Sequence, residues 1–533
     1  MPPAPLRFAV LHDDGKFAHW QARCVEELLA LEDIKPQVLI VRQSCAPMPR
    51  FLEGAAQILL PAPPARGVEH PATHATMARV RRHAPDFALS FLDGPCPAEL
   101  VDVPRYGTWR FRFGDWTSYR GNPPGFWEVY DGECVSGVLL TRELRSSDAV
   151  IILRDGYFRT ELRSPTRNRA MLEARVARWP AQLCADIRNG VTERFNSPAV
   201  AGAAQVRSPP TRLQQARLRT RTTLRTLRLV WQSLFRHDQW NVGLIEQPIA
   251  ALLRHEKRAP VRWLPATKRS ELRADPFGVI RDGHLSILCE HMSYEDNRGY
   301  IVAIESMSAS GAVRVAIGPI SAVHMSYPFL LQADERMLCI PETSGAQEIA
   351  LYESEHFPYR WAKVATLVAG VAIVDATLFR YAEHWWLAAS EVADKGANCE
   401  LHLWYASSIT GPWSPHPANP VKIDIRSARP AGTPFVVDGT LYRPAQDCSR
   451  TYGGRVTINR VLILTPLAFR EEPFAFVDPD PEGPYPDGLH TLSQVGNVTL
   501  IDGKRTLFVP VEFRRVLLKK LASMFKRSRT STH

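Results

Sequence analysis

An open α/β sheet followed by a five-bladed β-propeller is the fold class that this sequence predicts, on three observations. Up to about Asn189, short apolar runs alternate with segments of helical periodicity. From about Trp240 to Pro510, five segments share one form: an apolar strand opened by a polar residue, a tight turn and a second apolar strand. Between these regions the composition changes abruptly, with Ser208-Pro209-Pro210 interrupting the chain ahead of an arginine-rich run. The domains expected are an α/β domain at 1–200, a basic helical linker at 201–236, the propeller at 237–510 and a basic amphipathic tail at 511–533.

In the first region, Arg7–His12, Gln37–Val41 and Phe87–Phe91 read as buried strands, and Phe17–Leu31 carries apolar residues at helical spacing. No Gly-x-Gly-x-x-Gly follows the first strand, so no dinucleotide cofactor is expected. The stretch Tyr106 to Ile152 contains Tyr119-Arg120-Gly121, Gly137-Val138 and Asp148. Through these residues, the segment Leu6 to Asn189 resembles the formyltransferases that act on methionyl-tRNA, glycinamide ribonucleotide and amino-sugar nucleotides. That resemblance implies a formyltransferase-like sheet, with Asp148 at the place of the Asp that orients a catalytic His. It also places Arg110 and Arg112 where the family has its Asn-x-His pair.

An arginine stays charged at neutral pH and cannot exchange a proton there, so formyl transfer is not expected. Alternate positions on one strand share a face, so Arg110 and Arg112 could grip a phosphate or carboxylate together. The simpler alternative is that they pair with Asp115 or Asp148.

Lysine plus arginine is 65 against 55 acids, a formal net charge of +10. The excess is local. Eight arginines and no acid lie between Arg207 and Arg236, and seven more Lys or Arg lie between Arg514 and Arg529. Leu224, Leu227, Trp231 and Leu234 form an apolar row beside Arg217, Arg221, Arg225 and Arg228, a cationic amphipathic helix. Phe513, Leu517, Leu521 and Met524 repeat the design in the tail. Such helices suit an anionic membrane surface, or serve as interdomain connectors with solvated arginines. They carry no nucleic-acid motif.

The nine cysteines are scattered and form no Cys-x-x-Cys pair, which points to a reducing cytosol and no zinc site. The N-terminus does not read as a signal peptide, and the longest apolar stretch, Val364–Val374, is too short to span a bilayer. A cytoplasmic protein, soluble or peripheral at the inner face of the membrane, is the expectation.

The five repeats open at Ala274-Asp275-Pro276-Phe277, Ser326-Tyr327-Pro328-Phe329, Val374-Asp375-Ala376-Thr377, Arg429-Pro430-Ala431-Gly432 and Leu489-His490-Thr491-Leu492. Asp282-Gly283, Asp438-Gly439 and Asp502-Gly503 read as hairpin turns. In a propeller the innermost strands line the axis, so Asp275, Ser326, Asp375, Arg429 and His490 are expected to converge on one pocket, with Glu342 at a strand end. Carboxylates, an arginine, a histidine and Trp385, Trp386, Trp404 and Trp413 suit a sugar. No metal is expected.

Arg273–Gly278, Gln239–Gly243 and Asp375–Leu378 look like the N-terminal propeller region of plant glucosamine inositolphosphorylceramide transferases and their bacterial relatives. More distantly, the pattern is similar to five-bladed glycosidases such as arabinanases, xylosidases and invertases. That second resemblance implies Asp275 as base or nucleophile and Asp375 as the orienting Asp. Blade four opens with Arg429 and has no Glu at the corresponding place, so Glu342 would supply the acid. The expected function is glycosyl transfer or hydrolysis at the propeller axis during surface polysaccharide or glycolipid synthesis, with a carbohydrate or nucleotide-sugar substrate. Formyl or acyl transfer to an amino-sugar nucleotide and a non-catalytic glycan-binding scaffold are the alternatives.

Overall fold

The computed structural model describes residues 5–43, 48–60, 71–114, 120–121, 123–145, 149–198, 200–201, 206–254, 258–296, 298–305, 313–317, 323–333 and 335–509. Asp115, Tyr119, Asp148 and the tail 511–533 lie outside them. The chain divides into two units, Met1–Arg219 and Thr220–His533. Their fold class is the expected one, an open α/β sheet and a five-bladed β-propeller.

The first unit is built on an eight-stranded mixed sheet. Leu6–His12 is a central strand, parallel to both Ile34–Val41 and Phe87–Ser90, and it is buried along nearly its whole length. That is why it reads as a continuous apolar run rather than an alternating one. Thr108–Phe113 adds parallel to Phe87–Ser90, and the sheet then turns antiparallel through Val135–Glu143 and Ala149–Arg159. The helix Arg212–Phe235 follows and leads directly into the strand Arg236–Ile245. Among the described residues, no helix is long and apolar enough to cross a membrane.

Blade one runs from Glu271–Arg281 through His284–Ser293 and Arg298–Ile304 to Val313–Arg314. Blade two comprises Ser326–Ala333, Arg336–Glu342, Glu348–His356 and Arg360–Ala369. Blade three is formed by Ile373–Tyr381, His384–Glu391 and Glu400–Ala406, with two short outer strands, and blade four by Phe435–Val437, Thr440–Asp447, Arg455–Leu464 and Phe469–Val477. Blade five is composite. Its inner strands Leu492–Val495 and Val498–Phe508 come from the end of the repeat region, and its outer strands Arg236–Ile245 and Val261–Trp263 come from before blade one. Arg236–Ile245 pairs with Val498–Phe508 without a break from Arg236 opposite Phe508 to Ile245 opposite Thr499. This pairing closes the ring and leaves blade five no free edge on its C-terminal strand.

The innermost strands of blades one, two and three break register at the same place: Ala274/Phe277, Ser326/Phe329 and Val374/Thr377. Inside each break one residue is left-handed, Asp275 at φ 53°, Tyr327 at φ 43° and Asp375 at φ 54°. A left-handed non-glycine residue costs on the order of 1 kcal/mol, so three equivalent ones mark a site rather than chance. Each bulge leaves one residue unpaired in the ladder and re-aims its side chain. In blade two the bulge position belongs to Tyr327; Ser326 precedes it, in register with Glu342.

Two of the three expected Asp-Gly turns are hairpin turns, with φ 51° and 77° at Asp282-Gly283 and 48° and 76° at Asp438-Gly439. The third is not. Asp502 is fully buried inside the strand Val498–Phe508, opposite Val242, and the turn lies at Gly496-Asn497 instead. The strand is long because it must pair with blade-one-proximal chain on its far side, and that partner lies over two hundred residues away in sequence.

Gly432 carries the closest approach in the ring. It has φ +111°, and a Cβ there would lie 1.8 Å from the Leu492 carbonyl oxygen. Thr433 N donates to that same oxygen at 2.9 Å, and Leu492 N donates to Ala431 O at 2.8 Å, joining blades four and five. Replacing Gly432 by alanine is therefore expected to destabilise the propeller by about 3 kcal/mol or more, the combined effect of strain and a lost inter-blade contact. Urea unfolding of the full chain would measure it, and an unchanged propeller transition would contradict this account.

Candidate active site at the propeller axis

The three bulges and the strands beside them bring together a cluster of buried polar side chains. Asp275, Glu290, Glu342, Asp375, Arg429, His490 and Asp502 are all buried. Glu290 and Glu342 hold equivalent positions, opposite Ala274 and Ser326 on the second strands of blades one and two. Phe277, Tyr327 and Phe329 lie beneath as an apolar floor, the Phe277 ring 4.8 Å from Tyr327 and 5.2 Å from Phe329. The Tyr327 hydroxyl pairs with Thr377 Oγ1 at 2.8 Å and accepts from Gly432 N at 2.6 Å, so one side chain of blade two reaches blades three and four.

Asp375 is the most heavily bonded carboxylate on the blade-three side. Arg429 donates to it through Nε at 2.5 Å and Nη2 at 3.1 Å, and Gln446 Nε2 donates at 2.7 Å. Arg429 also donates to Asn398 Oδ1 at 2.8 Å and lies over the Tyr452 ring. Burial opposes the guanidinium charge, but the Asp375 carboxylate outweighs it and holds the Arg429 pKa well above its ordinary value. Arginine at the start of blade four, where a glycosidase-like pattern would have an acid, is thus the counterion of the blade-three aspartate.

Glu342 lies beside this pair without a cation of its own. Burial, then the negative charge of Asp375 and a hydrogen bond between the two carboxyl groups, push its pKa up to about 8, against the opposing pull of Arg429. Glu290 is likewise raised well above its ordinary value by burial and by the carboxylates of Asp275 and Glu342. Its neighbour His324, 3.3 Å away, accepts from Gly299 N at Nδ1 and is pushed toward the neutral form by burial. Glu342 therefore keeps its proton up to about pH 8, and Glu290 is biased toward its protonated form.

On the blade-five side, His490 stands between two aspartates, its Nδ1 2.6 Å from Asp502 Oδ2 and its Nε2 3.5 Å from Asp275 Oδ1. The imidazole stacks on Trp240 with centroids 4.1 Å apart. Burial disfavours the imidazolium, but Asp502 and Asp275 outweigh it and the His490 pKa is raised. Burial pushes Asp275 up to about 6, with Asp375 and Asp502 adding to the shift while His490 and a 2.9 Å hydrogen bond from Thr491 Oγ1 oppose it.

The ligand atoms of Asp275, His490 and Asp502 lie within 4.8 Å of one another, close enough to hold a metal ion. Asp502, however, already accepts three backbone hydrogen bonds, from His490 N at 2.9 Å, Thr491 N at 3.0 Å and Asp275 N at 3.1 Å, and lies 2.6 Å from His490 Nδ1 as an ion pair. A cation would have to displace these, so the trio fits a hydrogen-bonded relay better than a metal cradle.

Of the residues singled out from the sequence, Asp275, Glu342, Asp375, Arg429 and His490 lie in this cluster. Ser326 is buried next to it but does not take the bulge position. The four tryptophans do not line it. Trp386 packs in the cluster with Phe379 and Leu401, Trp404 packs with Leu387 and Leu378, and Trp385 and Trp413 lie against that second cluster. Trp385 and Trp386 pair with Arg380 and Phe379 near the hairpin turn, whereas the site lies at the Val374–Ser390 end of the same strands. Strand alternation turns them into inter-blade packing. The aromatic faces beside the cluster are Trp240 and Tyr452.

Glu290 and Asp502 are the acids that the sequence reading did not assign to the site. The 13-residue interval from Phe277 to Glu290 equals that from Phe329 to Glu342, which was the available signal for Glu290. For Asp502 it was Gly496-Asn497 between two valines, a better hairpin signal than Asp502-Gly503.

In the first unit, Arg112 Nη2 donates to Glu143 at 2.8 Å and 3.1 Å, and its Nε donates to Thr141 Oγ1 at 3.3 Å. Arg110 Nη2 donates to the carbonyls of Leu92 and Asp93 at 2.9 Å and 3.3 Å. Among the described residues, Glu143, two positions from Thr141 on the neighbouring strand, is a carboxylate partner of Arg112, while Asp115 and Asp148 lie outside them.

Removing Arg429 would leave Asp375 buried against Glu342 with no counterion. Arg429→Ala is expected to cost about 3–5 kcal/mol of propeller stability, with Arg429→Lys recovering only part because it lacks the two-pronged geometry. Chemical denaturation of both variants checks this, and an Arg429→Ala loss below about 1 kcal/mol would show that the pair does not hold the site together.

Residues 263–481 match the family model described as "Glucosamine inositolphosphorylceramide transferase 1, N-terminal". Glucosamine inositolphosphorylceramide transferase 1 of Oryza sativa subsp. japonica is 34% identical over 209 residues, 38% of this chain and 28% of the relative. The Arabidopsis thaliana protein of the same name is 33% identical over 208 residues, 38% of this chain and 27% of the relative. The chain thus spans little more than a quarter of the length of the curated relatives it matches. Among solved structures, HypX from Aquifex aeolicus aligns with 40% of this chain and 32% of its own, at 18% identity and a TM-score of 0.27. A candidate sugar N-formyltransferase from Mycobacterium tuberculosis aligns with 41% and 87%, at 15% identity and a TM-score of 0.28. The catalytic domain of an α-L-arabinofuranosidase from Coprinopsis cinerea aligns with 51% and 98%, at 14% identity and a TM-score of 0.33. The propeller of this chain, through Arg273–Gly278 and Asp375–Leu378 within the matched residues, is similar to the N-terminal region of the glucosamine inositolphosphorylceramide transferases.

Proposed function

We propose that the propeller axis is a carbohydrate site where a glycosyl unit is transferred or hydrolysed, with Glu342 as general acid and Asp275 as base or nucleophile. The observation that carries this reading is the contrast in proton affinity within one buried cluster. Glu342 keeps its proton up to about pH 8, whereas Asp275 gives its proton up above about pH 6. A pair of carboxyls pushed to opposite protonation states is the requirement of glycosidic chemistry. Glu342 donates its proton to the leaving glycosidic oxygen as the C–O bond breaks. Asp275 takes the proton of an incoming hydroxyl or water, or bonds to the anomeric carbon. Asp375, fixed by Arg429 and Gln446, orients Glu342 through the carboxyl–carboxyl hydrogen bond.

The substrate class is inferred from the relatives' name, glucosamine inositolphosphorylceramide transferase. We take a sugar–lipid or its nucleotide-sugar donor as the substrate, in the context of surface polysaccharide or glycolipid synthesis. Formyl transfer by the first unit gains no support from Arg110 and Arg112, which bond carbonyls and Glu143 and exchange no proton.

Two experiments test this reading. Turnover of aryl glycosides, and of nucleotide sugars with glycolipid acceptors, is expected to disappear in Asp275→Asn and Glu342→Gln while both variants remain folded. Binding without turnover in the parent chain would leave a lectin-like scaffold instead. The pH–rate profile of kcat/KM is expected to rise through about pH 6 and fall through about pH 8, the two limbs belonging to the coupled cluster. His490→Asn removes the cation beside Asp275 and is expected to move the acid limb upward. A loss of rate with no shift of that limb would make His490 merely structural.

Stability gives an independent check on Glu342. Its folded-state pKa lies above the ordinary value of 4.5, so the protonated carboxyl's contribution to stability is full below about pH 4.5, falls as pH rises from there to about 8, and is gone above. Glu342→Gln mimics the protonated form. It is expected to change Tm little below about pH 4.5 and to raise it by an increasing amount from there to about pH 8, and equal effects at both ends would contradict the assignment.

A further inference from the structure

The apolar row of the helix Arg212–Phe235 is uncovered. Leu224 and Leu227 are each 61% exposed, Val230 49% and Trp231 43%. Spaced three or four residues apart, Leu224, Leu227 and Trp231 follow one side of the helix. Phe508, 53% exposed, extends the row: its ring stacks on Trp231 at 5.9 Å and on Phe235 at 6.0 Å. The strand end is held there by Val509 N, which donates to Phe235 O at 2.8 Å. A solvated helix would be polar on that side.

Charge selects the occupant. From Arg212 to Phe235 the helix contains six arginines and no acid. The chain after Val509 starts beside the patch and has apolar residues of its own, but its seven Lys or Arg would meet the helix with like charge. A second copy of the same helix meets the same objection. An anionic lipid surface satisfies both features at once, headgroups taking the guanidinium groups and the acyl boundary taking Leu, Val, Trp and Phe. We propose that the helix Arg212–Phe235, together with Phe508, docks the chain on an anionic bilayer, lying in the interface with Leu224, Leu227, Trp231 and Phe508 inserted. This holds whether or not the propeller axis is catalytic.

The test is co-sedimentation of the full chain with vesicles of phosphatidylcholine alone and of three parts phosphatidylcholine to one part phosphatidylglycerol. Binding is expected only to the anionic vesicles, to weaken with salt, and to fall on the order of tenfold or more in Leu224→Gln/Leu227→Gln/Trp231→Ser and in Arg217→Glu/Arg228→Glu. Because these side chains lie on an exposed helix, unchanged thermal unfolding of the variants serves as the control. Hydrogen exchange in 224–235 is expected to slow on vesicle addition. Background binding by the parent chain would overturn the proposal. So would binding that survives both sets of substitutions but vanishes on removing 511–533, or a concentration-dependent dimer abolished by the Leu and Trp changes without vesicle binding.

Discussion

The buried ion pair between Arg429 and Asp375 is the interaction on which the axis depends. It joins the opening of blade four to the bulge of blade three, and its two-pronged geometry fixes the position of a carboxylate that would otherwise be expelled from an apolar interior. Once Asp375 is neutralised in place, its remaining negative field acts on Glu342, which responds by keeping a proton.

The opposite side of the axis is organised by a different cation. His490 is held by Asp502 at one nitrogen and faces Asp275 with the other, while Asp502 is itself anchored by three backbone N–H groups, including that of Asp275. The left-handed turn at Asp275 and the relay are therefore the same piece of structure: the strained residue donates its backbone to the carboxylate that orients the histidine. Strain at Asp275 and Asp375 is offset by these hydrogen bonds, which explains why aspartates rather than glycines occupy the bulges. In blade two, where Tyr327 takes that place, the hydroxyl ties blades two, three and four together and closes the floor.

Closure of the ring and completeness of the site are also linked. Asp502 lies on the strand that pairs with Arg236–Ile245, and Trp240, from the same pre-repeat strand, stacks on His490. Blade five can present its half of the cluster only when chain from before blade one is in place. The basic helix that precedes this strand, and Phe508 at the end of its partner, are positioned by the same pairing.

Local chemistry in the sequence was enough to predict the α/β sheet, the five-fold repeat and most of the axial residues. Alternation, turn dipeptides and the near-constant spacing of Asp275, Tyr327 and Asp375 are nearest-neighbour properties, and they survive folding unchanged. What depended on long-range pairing was legible only in part. Asp502-Gly503 has the composition of a turn, yet the strand from before blade one holds it extended and buried. Trp385, Trp386, Trp404 and Trp413 have the chemistry of a sugar platform, yet the register of their strands commits them to packing between blades. The sequence by itself determined which residue types open each blade. Only the tertiary structure decided which of them are charged, because burial and the pairing of Arg429 with Asp375 and His490 with Asp502 exist only once the ring has closed.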